Sequence, residues 1–260
     1  MRNDNFLGIK LMKYSTNKLA EIILTKNFIS KISPNDLNRV YWGVNPAYLY
    51  RGFKYFPEYI KVLRKSENVY VDGQSIVFLY NLFKKENERI PERSATTDLF
   101  PKILELNTIY KRRIYLLGSK EENVRKVYEN YKMFNIVGYH NGYFDKDGLE
   151  NEEVINEIND LKIDILFVGF GNPLQEKWIL RNLEKIKASV IIPCGGLFDH
   201  YSVYRRAPKV YIHLGLEWLW RLVEDRFSKY RRTQVKESIL FFVGYFFGRF
   251  SMEENTEEQE

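Results

Sequence analysis

The sequence predicts an α/β fold: a mostly parallel, helix-covered (Rossmann-like) sheet carrying a basic, aromatic, helical C-terminal appendage. Three observations predict it. Short apolar runs rich in β-branched and aromatic residues recur along the chain, several close on Gly or Asp, and they alternate with stretches of helical spacing. In such sheets the ligand crevice lies outside the carboxyl ends of the strands, so the residues following each run are the ones to examine.

The first run, Asn68-Val69-Tyr70-Val71, leads into Asp72-Gly73-Gln74-Ser75. An acid at this place points into the crevice and can act as a general base toward a hydroxyl; it can equally cap the helix that follows. The second run is Arg113-Ile114-Tyr115-Leu116-Leu117-Gly118. The third, Asp164 to Gly169, opens the turn Gly169-Phe170-Gly171-Asn172-Pro173-Leu174-Gln175-Glu176-Lys177-Trp178. Asn172 reads as a helix cap, Pro173 as the first helical residue and Gln175 as its third, with Leu174, Trp178, Leu183 and Ile186 as the apolar stripe. The fourth run, Ser189 to Gly195, closes on Cys194-Gly195-Gly196-Leu197-Phe198-Asp199, where Asp199 can bind a ribose or cap a helix. Small residues at such turns let backbone approach a phosphate or sugar.

A boundary near Val203 divides an α/β core, residues 1–202, from a basic appendage, residues 203–250, with an acidic tail over 251–260. The appendage holds Arg205-Arg206-Ala207-Pro208, a helix expected from Pro208 through Leu222, and Arg221, Arg226, Lys229, Arg231 and Arg232. A departing diphosphate suits such guanidinium groups; the plain reading of Arg221 is a helical pair with Glu217. Further on, Ile239 to Phe247 is apolar and flanked by bases. It is too short to span a bilayer and reads either as an interfacial stretch on anionic lipid or as a buried helix on the sheet.

Composition narrows the function. The chain has 260 residues, 45% hydrophobic and 28% charged, with a net charge of +6. Five of its 34 acids lie in Met252 to Glu260, leaving 40 bases against 29 acids in the rest, a balance suited to a polyanionic partner. One cysteine, Cys194, and an N-terminus without an apolar run of signal-peptide length predict a cytoplasmic protein. The Gly169/Gly171 pair lacks the third glycine and early position of a dinucleotide fingerprint, and no Walker A sequence is present. The histidines His140, His200 and His213 are too widely spaced for a zinc site. Asp145-Lys146-Asp147-Gly148 has a metal-holding D-x-D spacing but sits in a polar turn. No nucleic-acid signature accompanies the basic region.

Taken in order, these segments resemble the WecG/TagA/CpsF family of bacterial glycosyltransferases from about Leu7 to Arg232. Val71-Asp72-Gly73, Glu92-Arg93 with Asp98-Leu99, the Asp164–Trp178 stretch, Cys194-Gly195-Gly196 with Phe198-Asp199, Arg206-Ala207-Pro208 and Leu216 to Leu222 carry the likeness. The resemblance implies inverting transfer of a sugar, N-acetylmannosamine or a relative, from a UDP-sugar to a sugar on a polyprenyl diphosphate, in teichoic acid, capsule or exopolysaccharide synthesis. It implies no metal cofactor and peripheral association with the anionic inner face of the cell membrane. It makes Asp72 the base and has Arg93, Gln175 and the late arginines hold donor or diphosphate. Asn45, Asp98, Gly169, Gly171, Asn172, Gly195, Gly196, Asp199, Arg206, Arg221 and Arg231 complete the expected substrate site. Nucleic acid is excluded as a partner; a homo-oligomer is compatible. The chain departs from the family pattern at Gly43, where a Thr is common, at Thr96, where Gly is common, and at Ser228, which stands for an arginine that Arg226 or Arg232 would replace. A catalytically inactive, membrane-peripheral homologue is the alternative those departures raise.

Overall fold

The computed structural model describes residues 5–26, 36–82, 84–202, 211, 220 and 229–250. Strands β1 (Asn5–Phe6) and β2 (Ile9–Lys10) form an antiparallel hairpin. Helix α1 (Thr16–Thr25), strand β3 (Trp42–Val44), helices α2 (Pro46–Tyr55) and α3 (Pro57–Lys65), strand β4 (Val69–Val71) and helix α4 (Gln74–Asn81) follow. Next come α5 (Thr96–Tyr110), β5 (Ile114–Gly118), α6 (Glu121–Tyr131), β6 (Ile136–His140), α7 (Leu149–Asp160), β7 (Ile165–Gly169), α8 (Leu174–Asn182), β8 (Val190–Pro193) and α9 (Leu197–Ser202). Helix α10 (Lys229–Phe246) closes the described chain.

The expected strands are present at β4, β5, β7 and β8. Strands β6, β5, β7 and β8 pair in that order, all parallel, and β3 pairs parallel with β4. A bridge between Val40 and Ile191, with the Tyr41 N–H donating to the Ile191 carbonyl at 2.9 Å, joins the two ladders. The combined order is therefore β4-β3-β8-β7-β5-β6. Strands β3 and β6 are not anticipated by the sequence reading. β3 is only Trp-Gly-Val, and β6 is a half-exposed edge strand interrupted by Gly138.

Alternation along the strands sends side chains to two faces. Ile114, Leu116, Ile165, Phe167, Val190 and Ile192 pack in one core with residues of α1, α5, α6 and α9. Tyr115, Leu117, Leu166, Val168 and Ile191 pack in the other with residues of α2, α3, α4, α7, α8 and α10. Helices on both faces are what make the strands read as continuous apolar runs.

Helix α10 is two-sided. Glu237 and Phe241 are buried, and Tyr245 stacks on Phe6 at 5.6 Å. Half a turn around, Ile239, Val243 and Phe246, with Phe247 just past the helix end, are exposed, the last two by 70% and 75%. The buried-helix reading thus describes one face and leaves the other open. Among the described residues no helix is long and apolar enough to cross a membrane. The boundary at 203, the acidic tail, Arg206, Arg221, Arg226, Ser228 and the helix expected from Pro208 to Leu222 lie outside the described residues, except for Tyr211 and Trp220.

Candidate active site

The strand order reverses at two places, between β3 and β8 and between β7 and β5, and both open at the carboxyl edge of the sheet. Two strand spacings, roughly 10 Å, separate them.

At the first reversal β4 delivers Asp72, whose N–H donates to the Val44 carbonyl at 2.9 Å. Asp72 does not cap the helix that follows it: α4 begins behind Gly73 with no side-chain cap. Its carboxylate turns to the start of α5, where Oδ2 accepts from Thr96 Oγ1 at 2.9 Å and the Thr96 N–H at 3.3 Å. The Ser94 N–H bonds the Val71 carbonyl at 2.8 Å, running the preceding loop along β4 and aiming the positive end of α5 at Asp72. The Tyr70 hydroxyl lies 2.9 Å from Thr96 Oγ1.

Asn45, at the end of β3, caps α2 by accepting the Tyr48 N–H at 3.0 Å. A Cβ on Gly73 would lie 3.2 Å from Asn45 Cβ, so the two turns abut. The Tyr48 hydroxyl closes the gap toward β8, since a Cβ on Gly195 would come within 2.9 Å of it. Burial, then the neighbouring Tyr230, Glu176 and Asp72, pushes that hydroxyl well above its ordinary pKa and keeps it neutral. Arg93 and Asp98 pair at 3.6 Å on either side of Thr96, and the Arg93 carbonyl accepts from the Thr16 hydroxyl of α1 at 3.4 Å.

At the second reversal the strand ends are mostly bare backbone turns. Gly171 and Gly195 have φ of +82° and +55°, conformations that favour glycine. A Cβ on Gly169 would meet the Gly195 carbonyl at 2.9 Å, so the β7 and β8 turns touch. Gln175 links them: its Oε1 accepts the Gly171 N–H at 3.2 Å and the Gly195 N–H at 2.9 Å, while Nε2 donates to Glu176 at 2.9 Å. Asp199, in the first turn of α9, accepts at Oδ1 from the Asn123 amide at 2.8 Å and from the Ser119 hydroxyl. Gly196 leaves space beside Asp199 Oδ2, where a Cβ would lie 3.8 Å away.

Asn172 corrects an expectation. It does not cap α8, which begins at Leu174 after a cis Asn172–Pro173 peptide. Its carbonyl and Oδ1 instead accept from Arg51 at 2.9 and 3.4 Å, because the buried Arg51 of α2 faces this turn. Arg51 also bonds Glu237 of α10, Nε to Oε2 at 2.8 Å, and stacks on Tyr230 at 5.3 Å. Its guanidinium loses hydration there, yet Glu237 and Tyr230 hold it charged, above its ordinary pKa. Glu176 is buried with Oε2 lacking a hydrogen bond, and burial raises its carboxyl pKa.

The structure therefore brings Asn45, Asp72, Arg93 and Asp98 to one reversal and Gly169, Gly171, Gln175, Gly195, Gly196 and Asp199 to the other. Arg231 belongs to α10, and Arg206 and Arg221 are not described. Sequence reasoning missed Tyr48, Arg51, Glu176, Ser119, Asn123 and Glu237; of the new partners only Thr96 was marked, as a departure. The Asp145/Asp147 pair forms the polar turn: Asp145 accepts the Asp147 N–H at 3.0 Å, and Asp147 pairs with Arg181.

A doubly wound parallel sheet with a carboxylate at one reversal and glycine turns at the next defines an α/β protein of the class that takes ligands at the carboxyl ends of its strands. The model of the glycosyl transferase WecG/TagA/CpsF family matches residues 5–254, and the chain belongs to that family. It is a glycosyltransferase. Over 239 residues it is 31% identical to the N-acetylglucosaminyldiphosphoundecaprenol N-acetyl-beta-D-mannosaminyltransferase of Bacillus subtilis (strain 168), covering 86% of this chain and 89% of that one. It is 26% identical over 226 residues to proteins of the same name from Staphylococcus aureus strains MW2 and NCTC 8325, covering 85% of this chain and 84% of each.

Proposed function

We propose that the chain transfers N-acetylmannosamine, with inversion, from a UDP donor to N-acetylglucosamine on a polyprenyl diphosphate, for cell-surface polysaccharide. The observation that carries this reading is the Asp72 carboxylate, withheld from its own helix and presented two strand positions from the Gly195 turn. The donor's nucleotide lies across the Gly169, Gly171 and Gly195 turns with Asp199 toward its ribose, and the diphosphate reaches back toward the first reversal.

Asp72 takes the proton as the acceptor O–H breaks. The freed oxygen bonds the anomeric carbon from the face opposite UDP, and the C–O electron pair leaves on the diphosphate. General-base assistance of this kind contributes about 10²–10⁴-fold. Arg93 and the late arginines Arg206, Arg221 and Arg231 receive the developing charge in place of a metal ion. In keeping with this, the Asp145/Asp147 carboxylates are engaged by a turn and by Arg181. The experiment is UDP release from UDP-N-acetylmannosamine with a short-chain lipid-diphosphate acceptor. Asp72→Asn should lose about 10²-fold or more in kcat while melting like the wild type. Near-wild-type turnover would remove Asp72 from the base role, and a wild-type chain that releases no UDP would favour a binding homologue.

We also propose that the outer face of α10 rests on the anionic inner face of the cell membrane. Supporting this, a groove of about 480 Å³ between α2, α3 and α10 is rimmed by Lys54, Lys61, Arg64 and Arg249, and it adjoins the exposed Val243, Phe246 and Phe247. Phe246→Ser with Phe247→Ser should weaken sedimentation with anionic vesicles; unchanged sedimentation would refute this role.

A further inference from the structure

We infer that Tyr70 and Thr96 form a hydrogen-bonded relay that aims the Asp72 carboxylate, which makes both of them positioning residues for the transfer. The inference rests on the base role proposed for Asp72. An ionised carboxylate only accepts hydrogen bonds, so Thr96 Oγ1, 2.9 Å from Oδ2, directs its single proton to Asp72. The 2.9 Å contact between the Thr96 and Tyr70 hydroxyls must then be donated by Tyr70. Burial holds the Tyr70 hydroxyl protonated far above its ordinary pKa, so this donor is always present. Every proton in the chain thus has one direction, from Tyr70 to Thr96 to Asp72.

The Thr96 N–H adds a second donor to the same oxygen, 3.3 Å away, at the positive end of α5. Both contacts from Thr96 fall on Oδ2 and fix the orientation of the carboxylate. Position 43 completes the device. A Cβ there would lie 2.8 Å from the Tyr70 hydroxyl and 2.9 Å from its Cζ, so the ring has its seat only because Gly43 has no side chain. Gly43 and Thr96 are far apart in sequence, and Tyr70 touches both.

Among the described residues, the ionisable groups around Asp72 include Tyr48 on α2, Tyr70 on β4 and the Arg93–Asp98 pair beside Thr96, with Cys194 near Tyr70 and Glu176 beyond Tyr48. Burial keeps Tyr48, Tyr70 and Cys194 neutral. Glu176 is bonded by Gln175, so a shift caused by changing Thr96 assigns the acidic limb of a rate profile to Asp72.

The test is kcat against pH for the full chain, with UDP-N-acetylmannosamine and a short-chain prenyl-diphosphate-linked N-acetylglucosamine. Thr96→Val should lower kcat about tenfold or more and move the acidic limb up by about one pH unit, the equivalent of one hydrogen bond to a charged group. Donor KM should stay within about twofold. Thr96→Ser should restore both, and Tyr70→Phe should shift the limb in the same direction by less. A wild-type profile in Thr96→Val overturns the relay; should that variant not fold, a wild-type profile in Tyr70→Phe overturns it alone. Asp72→Asn in the same assay separates the two readings. Retained turnover there removes the base, whereas an inactive Asp72→Asn beside an unaffected Thr96→Val removes only the relay.

Discussion

The β3–β4 side of the sheet and the β5–β7–β8 side present different chemistry at their carboxyl ends. On the first, strands of three residues carry side-chain chemistry, and the partners come from distant places: Asp72 from β4, Thr96 from α5, Tyr48 from α2. On the second, longer strands end in glycine and the surface offered is mostly backbone, with Asp199 as its charged side chain. On the function proposed above, one side handles a proton and the other accommodates a phosphate and a sugar. The contrast teaches that shape is written locally, in a turn, whereas proton chemistry is assembled from pairs separated by whole helices.

Perturbations that cross the two sides should have the largest effect. Arg51 ties α2 on the first side to the Asn172 turn on the second and to Glu237 on α10, through side chains only 8% and 11% exposed. Arg51→Ala leaves Glu237 buried without its cation and should cost about 3–5 kcal/mol, read as a lower denaturation midpoint with α10 opened to proteolysis. Equal stability would mean that the sides do not share this tie. Next in size, Gly195→Ala should cost about 1–2 kcal/mol for its positive φ and raise donor KM by pressing on Tyr48, with a smaller change in kcat. A loss confined to kcat would move Gly195 to the proton-handling side.

The smallest effect concerns Glu176. Burial raises its carboxyl pKa, so its contribution to stability is greatest below the ordinary carboxylate range and is lost as pH rises through the raised value. Glu176→Gln should match the wild type near about pH 4 and gain in Tm relative to it toward about pH 8. A Tm difference independent of pH would contradict the ionisation argument.

Legibility in the sequence follows the same division. Strands β5, β7 and β8 are visible because both of their faces are covered, which leaves uninterrupted apolar runs closing on Gly118, Gly169 and Gly195. β3 is hidden by its length and β6 by Gly138 and its exposed edge. The glycine turns were legible as places where backbone meets a ligand. Which groups the Asp72 carboxylate faces was not: an acid before a helix reads as a general base or as that helix's cap, and the helix it actually faces, α5, starts 24 residues later. Asn172 was misread for a similar reason, since Arg51 lies 121 residues away and no local pattern announces it. Glu237, 186 residues from Arg51, gave no signal at all. Gly43 and Thr96 did stand out, yet only Tyr70, placed between them, shows why they belong together.

The division of labour is tested most directly by kcat and donor KM measured side by side for Asp72→Asn and Asp199→Asn. The account predicts opposite signatures: kcat falls by about 10²-fold or more with donor KM little changed in the first, and donor KM rises with kcat largely kept in the second. Weakened donor binding with undiminished kcat in Asp72→Asn would contradict it.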